Sequence, residues 1–166
     1  MAIEKIIETA KEIFNAPMFL KIMNPASPEN PERTGGYLCI LSNDKQHDND
    51  TPLAHHPFGI IKKEKHDRYV KLSEEKARRV QNSNITIFSS WETRNEAEEK
   101  KGGAIRADDY ILSFSGLPEL GDEAFMLAVA AQCNLAPLAT LETIARKSGS
   151  NELFQKLLLL DNRSVS

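Results

Sequence analysis

The sequence predicts an α+β fold in which helices pack on an antiparallel sheet of about five strands. Its short apolar runs and helical segments do not alternate regularly, as they would in a doubly wound parallel sheet. The most apolar helical segment, Glu123–Cys133, has Ala, Met, Leu and Val on most of its faces, which is typical of a helix buried against a sheet. With 40% hydrophobic and 27% charged residues, the 166-residue chain has the composition of one compact domain, so we treat 1–166 as a single unit.

The first third of the chain predicts a helix, a loop and a buried strand. Apolar residues at spacings of three and four form one helical stripe that ends near Asn15: Ile3, Ile6, Ile7, Ala10, Ile13 and Phe14. Prolines punctuate residues 24–36, which predicts a surface loop before the apolar strand Tyr37–Leu41. The polar residues 43–57 predict a second loop, either mobile or ordered only by a partner.

The middle of the chain predicts short strands separated by polar helices. Phe58–Ile61 and Arg68–Lys71 flank a charged turn and suit a hairpin. Ser73 and two glutamates after it suit the start of a helix that runs to about Gln81. Ile85–Phe88 then predicts another strand, and the polar segment 89–103 predicts a capped helix ended by its glycines.

The last third predicts a hairpin followed by three helices. Strand-forming residues between Ile105 and Phe114 surround a turn at Asp108-Asp109. Asp122 suits the cap of the apolar helix, and Pro137 suits the first turn of the next one. Residues 148–150 separate that helix from the C-terminal one, whose apolar stripe favours core packing or self-association: Leu153, Phe154, Leu157 and Leu158.

Charge and cysteine content exclude several classes of protein. The formal net charge of −3 and the pI near 5.8 give no strongly basic face, so we expect no nucleic-acid partner. Cys39 and Cys133 both lie in apolar runs without a Cys or His at metal-ligand spacing, which favours buried, reduced thiols. No segment approaches about 20 consecutive apolar residues, so we expect no membrane span and a cytoplasmic location.

Two glycine-containing segments are the candidate ligand site. Gly102 and Gly103 permit close approach of the backbone to either a neighbouring element or a ligand. Ser115 and Gly116 allow the same two interpretations. The predicted hairpin brings the two segments together just before the N-terminus of a helix. Arg106 is the nearest side chain that could bind a carboxylate or propionate in a bidentate manner, although an arginine on a strand is more commonly exposed to solvent.

Charged and imidazole side chains supply the remaining candidates. Asp122 and Glu123 either cap the helix or bind a cation or a polar ligand. The four histidines lack the His-Glu-x-x-His spacing of a built-in metal site, and the simplest interpretation is that each is a solvated histidine in a loop. His55 and His56 are the best candidates for haem ligands because they precede Pro57-Phe58 in a loop that could close over a hydrophobic face.

The stretch GGAIRADDYILSFSGLPELGDEAFMLAVAAQ resembles the HbpS-like family, labelled haem-binding or haem-degrading, which includes the GlcG proteins. In that pattern a Gly-Gly pair precedes a strand, a second strand ends in Ser-Gly, and an acidic pair opens an Ala-rich helix. Gly102-Gly103, Ser115-Gly116 and Asp122-Glu123 match it. The resemblance implies a core at about 37–135 with profilin-like α/β/α layers, a C-terminal helical extension at 136–166, a closed homo-oligomer, and haem as a cofactor.

Three functions remain open at this stage. The resemblance implies a protein that binds a small molecule, haem included, without strong catalytic activity. The alternatives are an oligomeric adaptor and an enzyme acting on a small oxygenated metabolite. The sequence contains no Walker loop, dinucleotide fingerprint or Ser/His/Asp order, so no reaction is assigned.

Overall fold

The computed structural model describes residues 2–23, 34–44 and 51–164, with side chains described as far as residue 160. The predicted α+β class is confirmed. The helices and strands of the described residues are, in chain order, α1 Ala2–Phe14, α2 Phe19–Met23, β1 Gly35–Ser42, β2 Ala54–Gly59, α3 His66–Asn82, β3 Ala104–Ala107, β4 Tyr110–Ser115, α4 Glu119–Gln132, α5 Leu138–Ser148 and α6 Asn151–Ser164.

The strands form one antiparallel sheet in the order β2-β1-β4-β3. The hairpin predicted around Asp108-Asp109 joins β3 to β4, and Asp108 takes the left-handed conformation that its tight turn requires, with φ 54°. Strand β1 lies in the interior, and β2 is an edge strand. The placement of β2 explains how Pro57 is accommodated, since proline is confined to sheet edges, strand ends and bulges.

Alternate residues of the sheet face two different helical layers. One face packs on α3 through a small cluster: Cys39, Leu41, Ala77, Val80, Ala104 and Ile111. The other face packs on α4 through the larger core, with α1, α5 and α6 packed around α4. Ten consecutive residues of α4, from Gly121 to Ala130, are buried, which confirms the burial predicted for the apolar helix. The period-two alternation of the strands thus separates the two cores.

The sheet has four strands among the described residues, and the predicted fifth strand is absent there. Ile85–Phe88 forms no ladder: the nearest pairing is a single bridge between Ser89 and Ile105, beside which Arg106 N donates to Phe88 O at 2.8 Å. Asn84 accepts hydrogen bonds from the backbone and the hydroxyl of Thr86, a local turn that competes with strand pairing. Ile85 is 72% exposed, so its β-branched side chain lacks the burial that normally stabilises a strand.

The predicted hairpin arm Arg68–Lys71 belongs instead to α3, which begins at His66 and not at Ser73. Buried positions recur every three or four residues along this helix: Tyr69, Ser73, Lys76, Ala77 and Val80. That spacing gives α3 one continuous buried face. The interpretation as a hairpin was wrong because a short segment with only two strand-forming residues, Tyr69 and Val70, fits a strand and a helical turn equally well.

The polar segment after α3 forms turns where a helix was predicted. Residues 83–103, here called the strap, contain two short 3-10 turns at Ser90–Thr93 and Glu96–Glu98. Arg79 holds the strap to α3 by donating to Thr93 Oγ1 at 2.9 Å and to two strap carbonyls. Tertiary hydrogen bonds therefore replace the helical ones that the sequence suggested.

The remaining segment predictions have mixed outcomes. Residues 24–33 of the proline-rich loop and residues 45–50 of the second loop lie outside the described residues. Residues 54–57 of the second loop form β2 together with the first two residues of the predicted strand Phe58–Ile61. In the predicted C-terminal stripe, Phe154 and Leu157 are buried in the core. Among the described residues, no helix is both long and apolar enough to cross a membrane.

Candidate functional site

The β3–β4 hairpin brings the two predicted glycine segments together, as Phe114 N donates to Gly103 O at 3.2 Å. Gly103 has φ +126°, a conformation that side chains other than glycine rarely adopt. A Cβ at this position would lie 2.8 Å from Lys76 Nζ and 2.9 Å from Asp122 Cβ. Protein atoms therefore occupy the space beside Gly103.

Lys76 and Asp122 form a buried ion pair at this point. Lys76 Nζ donates to Asp122 Oδ2 at 3.0 Å and to Phe114 O at 2.9 Å, and both charged side chains are nearly inaccessible. Asp122 Oδ1 accepts the backbone N–H of Leu117 at 2.9 Å. The prediction that Asp122 caps the helix was wrong, because α4 begins at Glu119 and its N-cap position is Pro118. Asp122 lies instead in the first turn, where its negative charge stabilises the helix N-terminus.

Gly102, Ser115 and Gly116, the other residues of the two glycine segments, also contact neighbouring parts of the fold. Gly102 donates its N–H to Glu119 Oε2 at 2.6 Å. Gly116, at φ +141°, packs so closely on β1 that an added Cβ would lie 2.2 Å from Gly35 O. Ser115 is buried on β4 opposite Tyr37. These contacts give the segment a packing role, and the ligand role of its residues stays a prediction.

Arg106 is a buried arginine that holds backbone carbonyls. Its guanidinium donates to Val80 O at 2.6 Å, Ile87 O at 2.9 Å and Asn84 O at 3.4 Å, and to the side chain of Asn43. Two of these carbonyls belong to the C-terminal end of α3 and the residues after it, where a cation is favourable. Burial lowers the pKa of Arg106. The side chain joins α3, the strap and the sheet instead of pointing at solvent.

Glu123 lies in α4 and is fully buried. Ser89 Oγ of the strap donates to Glu123 Oε1 at 2.7 Å, while Oε2 has no hydrogen-bond partner. Burial raises the pKa of Glu123, and the nearby hydroxyls of Ser148, Ser89 and Ser150 oppose that rise. Its carboxyl group is therefore placed inside the fold, away from any surface ligand.

His55 points toward α3 from the edge strand. It pairs with Cys39 in the β1–β2 register, and its Nε2 is buried 3.9 Å from Glu74 Oε1 without a hydrogen bond. Burial lowers the pKa of His55, and the negative charge of Glu74 partly opposes the change. Burial disfavours the charged form of Cys39 as well, and for a thiol this raises the pKa, to about 12. The thiol is therefore protonated at neutral pH.

His56 points to the opposite side of β2 from His55. Its Nδ1 lies 2.8 Å from Pro57 O, and because a carbonyl oxygen can only accept, Nδ1 is the protonated ring nitrogen. The lone pair of the neutral ring is consequently on Nε2. The His56 ring also packs at 5.0 Å, centroid to centroid, on Phe58. The structure thus separates the two adjacent candidates: both are partly buried, but His55 turns its Nε2 toward α3, whereas His56 lies on the other face of the edge strand.

The surroundings of His56 combine aromatic, apolar and basic groups. Phe58 belongs to an aromatic cluster with Phe14, Phe114 and Phe125. At the two ends of β2, Leu53 and Ile60 are exposed large apolar residues, and Ile60 is 78% exposed. Two exposed lysines, Lys62 and Lys63, follow the strand. This edge can therefore offer an imidazole, an apolar surface and cationic groups to one ligand.

Sequence reasoning gave Lys76 no part in a site, although it shares the buried pair with Asp122. The signal was present: Lys76 occupies a position on the apolar face of α3, between Ser73 and Val80. A cation on the buried side of a helix requires a counter-charge, and the acidic start of α4 was the available source.

Comparisons with known proteins leave the family open. No family model, no curated protein and no solved structure matches this chain. Among the described residues, no group of three or more His, Cys, Asp and Glu side chains is arranged to hold a metal ion.

Proposed function

We propose that this chain is a small-molecule-binding protein and that its ligand is haem-like, bound at the β2 edge through His56 Nε2. The observation that carries the proposal is the hydrogen bond between His56 Nδ1 and Pro57 O at 2.8 Å. Histidines that ligate metals almost always donate their other ring N–H to a carbonyl, a carboxylate or water, which fixes the tautomer. His56 already has that arrangement in the protein alone.

A haem-like ligand fits the chemistry of the residues around His56. Neutral imidazole is a common axial donor to haem iron, and the iron supplies the redox or gas-binding chemistry when it is bound. Leu53 and Ile60 offer apolar surface on either side of the histidine. The propionates of a haem need cationic partners, for which Lys62 and Lys63 are the candidates. A single protein donor is sufficient because the macrocycle supplies the remaining nitrogen ligands.

The resemblance to the HbpS-like family supports this proposal and is proposed together with it. Helices on both faces of the antiparallel sheet are compatible with profilin-like layers, and the C-terminal helices α5 and α6 extend beyond the family-like core. Buried or partly buried unpaired thiols at Cys39 and Cys133 agree with the proposed cytoplasmic location. Within the family reading, a homo-oligomer is the expected assembly.

Self-association is the second candidate, and one apolar groove favours it. Four apolar residues and one lysine line a groove of about 160 Å³ beside α2 and α6: Met18, Ile22, Lys156, Leu159 and Leu160. Leu159 is 60% exposed. An isolated exposed apolar residue is ordinary, but two beside one apolar groove, Met18 and Leu159, suit a second copy of the chain. Light scattering should report a mass above 18.6 kDa for the parent and a lower mass for Leu159→Lys. Leu138→Lys, the same change at an exposed leucine of α5, should keep the parental mass.

Haemin titration tests the ligand proposal. The parent protein should shift the Soret band of haemin to a single bound form, whereas His56→Ala should lose most of this shift because the donor is removed. His55→Ala is the matched control from the same strand and should bind like the parent, provided circular dichroism shows that both variants are folded. Equal binding by His56→Ala and the parent would overturn the role of His56, and a parent without a Soret shift would overturn the haem proposal itself.

A further inference from the structure

Three separate parts of the fold meet at the carboxyl group of Glu123. Ser89 from the strap donates to Oε1 at 2.7 Å. Ser148 at the end of α5 and Ser150 just before α6 lie on the other side, with their hydroxyl oxygens 3.2 Å apart. All four residues are buried, and Glu123 Oε2 has no hydrogen-bond partner. The ligand proposal for β2 does not involve this cluster.

The charges near the cluster leave Glu123 without a cation. Among the described residues, the charged groups near its contacts include Lys76 and Arg79 of α3, Glu119 and Asp122 of α4, Glu92 and Arg94 of the strap and Lys147 of α5. Lys76 lies 3.0 Å from Asp122, Arg79 lies 2.5 Å from Glu75, and Lys147 lies 2.5 Å from Glu92. Arg94 lies 3.7 Å from Glu119, so each of these four cations is paired with a carboxylate other than that of Glu123. Glu119 adds a second negative charge that further favours the neutral form of Glu123.

Ser148, unlike Ser89, is a better acceptor than donor toward Glu123. Ser148 Oγ lies 3.2 Å from the carbonyl oxygens of Ile144 and Ala145, which can only accept, so its single proton is directed to the helix. Its lone pairs then remain for the hydroxyl of Ser150 and for an acidic proton. A protonated carboxyl group has one O–H donor, which would supply the hydrogen bond that Oε2 lacks.

We propose that Glu123 makes a pH-dependent contact, here called the joint. When its carboxyl group is protonated, hydrogen bonds hold the α5–α6 junction and the strap against α4, and loss of the proton weakens these contacts. In the ionised form, a charged oxygen would lie in the core with no cation beside it, which is unfavourable. The elements that can respond are the ones in contact, residues 148–150 and the strap around Ser89. The core of the sheet is not required to move.

The direction of the pH effect follows from the raised pKa of Glu123, whose ordinary value is 4.5. A carboxyl group with a raised pKa in the folded state binds its proton more tightly there than in the unfolded chain. Its contribution to stability is complete below the ordinary pKa and is lost as the pH rises through the folded pKa. Glu123→Gln keeps the shape and supplies N–H donors but cannot ionise, so it should gain stability relative to the parent as the pH rises.

Urea unfolding of the parent and Glu123→Gln between about pH 5 and about pH 8 tests the joint. The ratio of their unfolding equilibrium constants should change by up to about tenfold for each unit by which the pKa is raised. Glu152→Gln, at an exposed carboxylate of α6, is the matched control and should keep a constant ratio to the parent. A constant ratio for Glu123→Gln as well would overturn the proposal.

A second measurement keeps the proposal testable if Glu123→Gln does not fold. A carbon-13 titration of the glutamate carboxyl groups in the parent should show one group, Glu123, with a midpoint above 4.5. Over the same pH range, the amides of Gly149 and Ser150, which donate to Ala145 O at 2.9 Å, should exchange faster than the helical amides of α1 once intrinsic rates are removed. A midpoint at or below 4.5, or equal protection throughout, would refute the joint.

Discussion

Lys76 Nζ lies 3.0 Å from Asp122 Oδ2, and the pair occupies the space left by the missing side chain of Gly103. This relationship connects three parts of the chain that the sequence presents separately: the buried face of α3, the glycine before β3 and the acidic first turn of α4. It also explains why a glycine is required there, since any side chain would collide with the ammonium group. The region thus anchors the fold, while the proposed ligand site lies at the far edge of the sheet.

Replacing Lys76 with methionine should destabilise the protein by about 3–5 kcal/mol, because Asp122 would be left as a buried and uncompensated charge. Urea unfolding measures this change. Lys71→Met, at an exposed position on the same helix, should stay within about 0.5 kcal/mol of the parent.

The double variant Lys76→Met with Asp122→Asn separates the charge from the packing. Asparagine keeps an acceptor for Leu117 N–H but carries no charge, so the double variant should be more stable than Lys76→Met alone. If the two variants unfold at the same urea concentration, the pair contributes through packing and the ionic account is wrong.

Gly103→Ala should lower the free energy of unfolding by at least about 1–3 kcal/mol, the cost of a strained backbone conformation at φ +126°. The clash with Lys76 Nζ adds to this cost. Gly121→Ala is the matched control inside α4, where an added Cβ meets the flexible Met23 sulfur at 3.3 Å. Alanine is the better helix former, so this control should stay within about 1 kcal/mol of the parent or gain stability. Equal losses at both glycines would contradict the special role of Gly103.

Arg106→Met should cost about 2 kcal/mol or more, because several carbonyl groups would lose a charged donor. Amide exchange should also rise at the C-terminal end of α3 and in residues 84–88 of the strap, which the guanidinium holds together. Arg68→Met removes a half-exposed arginine from α3 and should leave both readouts nearly unchanged. An Arg106 variant with parental stability would show that its buried hydrogen bonds are dispensable.

The thiol of Cys39 should be inert in the native protein. Burial, with a smaller contribution from the charge of Glu74, raises its pKa to about 12, so the reactive thiolate is scarce at neutral pH. In a Cys133→Ser background, a thiol-specific disulfide reagent should label Cys39 after unfolding in urea and not before. Rapid labelling of the folded variant would show that this face of the sheet opens under α3.

The elements that could be predicted from the sequence are those whose burial pattern is local. The stripe of α1 and the apolar saturation of α4 each fall within one segment, so periodicity identified both. The start of α3 and the course of the strap depend instead on tertiary partners. Arg79 and Arg106 hold the strap through contacts 11 to 22 residues away in sequence, and no local pattern signals them.

The candidate site could be predicted only in part for the same reason. The adjacent pair His55 and His56 was recognisable from composition, but their opposite environments follow from the alternation of β2, which was read as a loop. The hairpin that brings Gly103 beside Phe114 was predictable from its turn. The contact between Lys76 and Gly103 was not predictable, because these two residues come together only when α3 packs on the sheet.

The most direct test of the ligand proposal is a long-range proton–nitrogen spectrum of the histidine rings, before and after addition of diamagnetic gallium protoporphyrin. The free protein should show His56 protonated on Nδ1, and the ligand should shift the His56 Nε2 resonance while leaving the His55 ring unchanged. A His56 ring protonated on Nε2, or ring signals that the porphyrin does not alter, would contradict the proposed site.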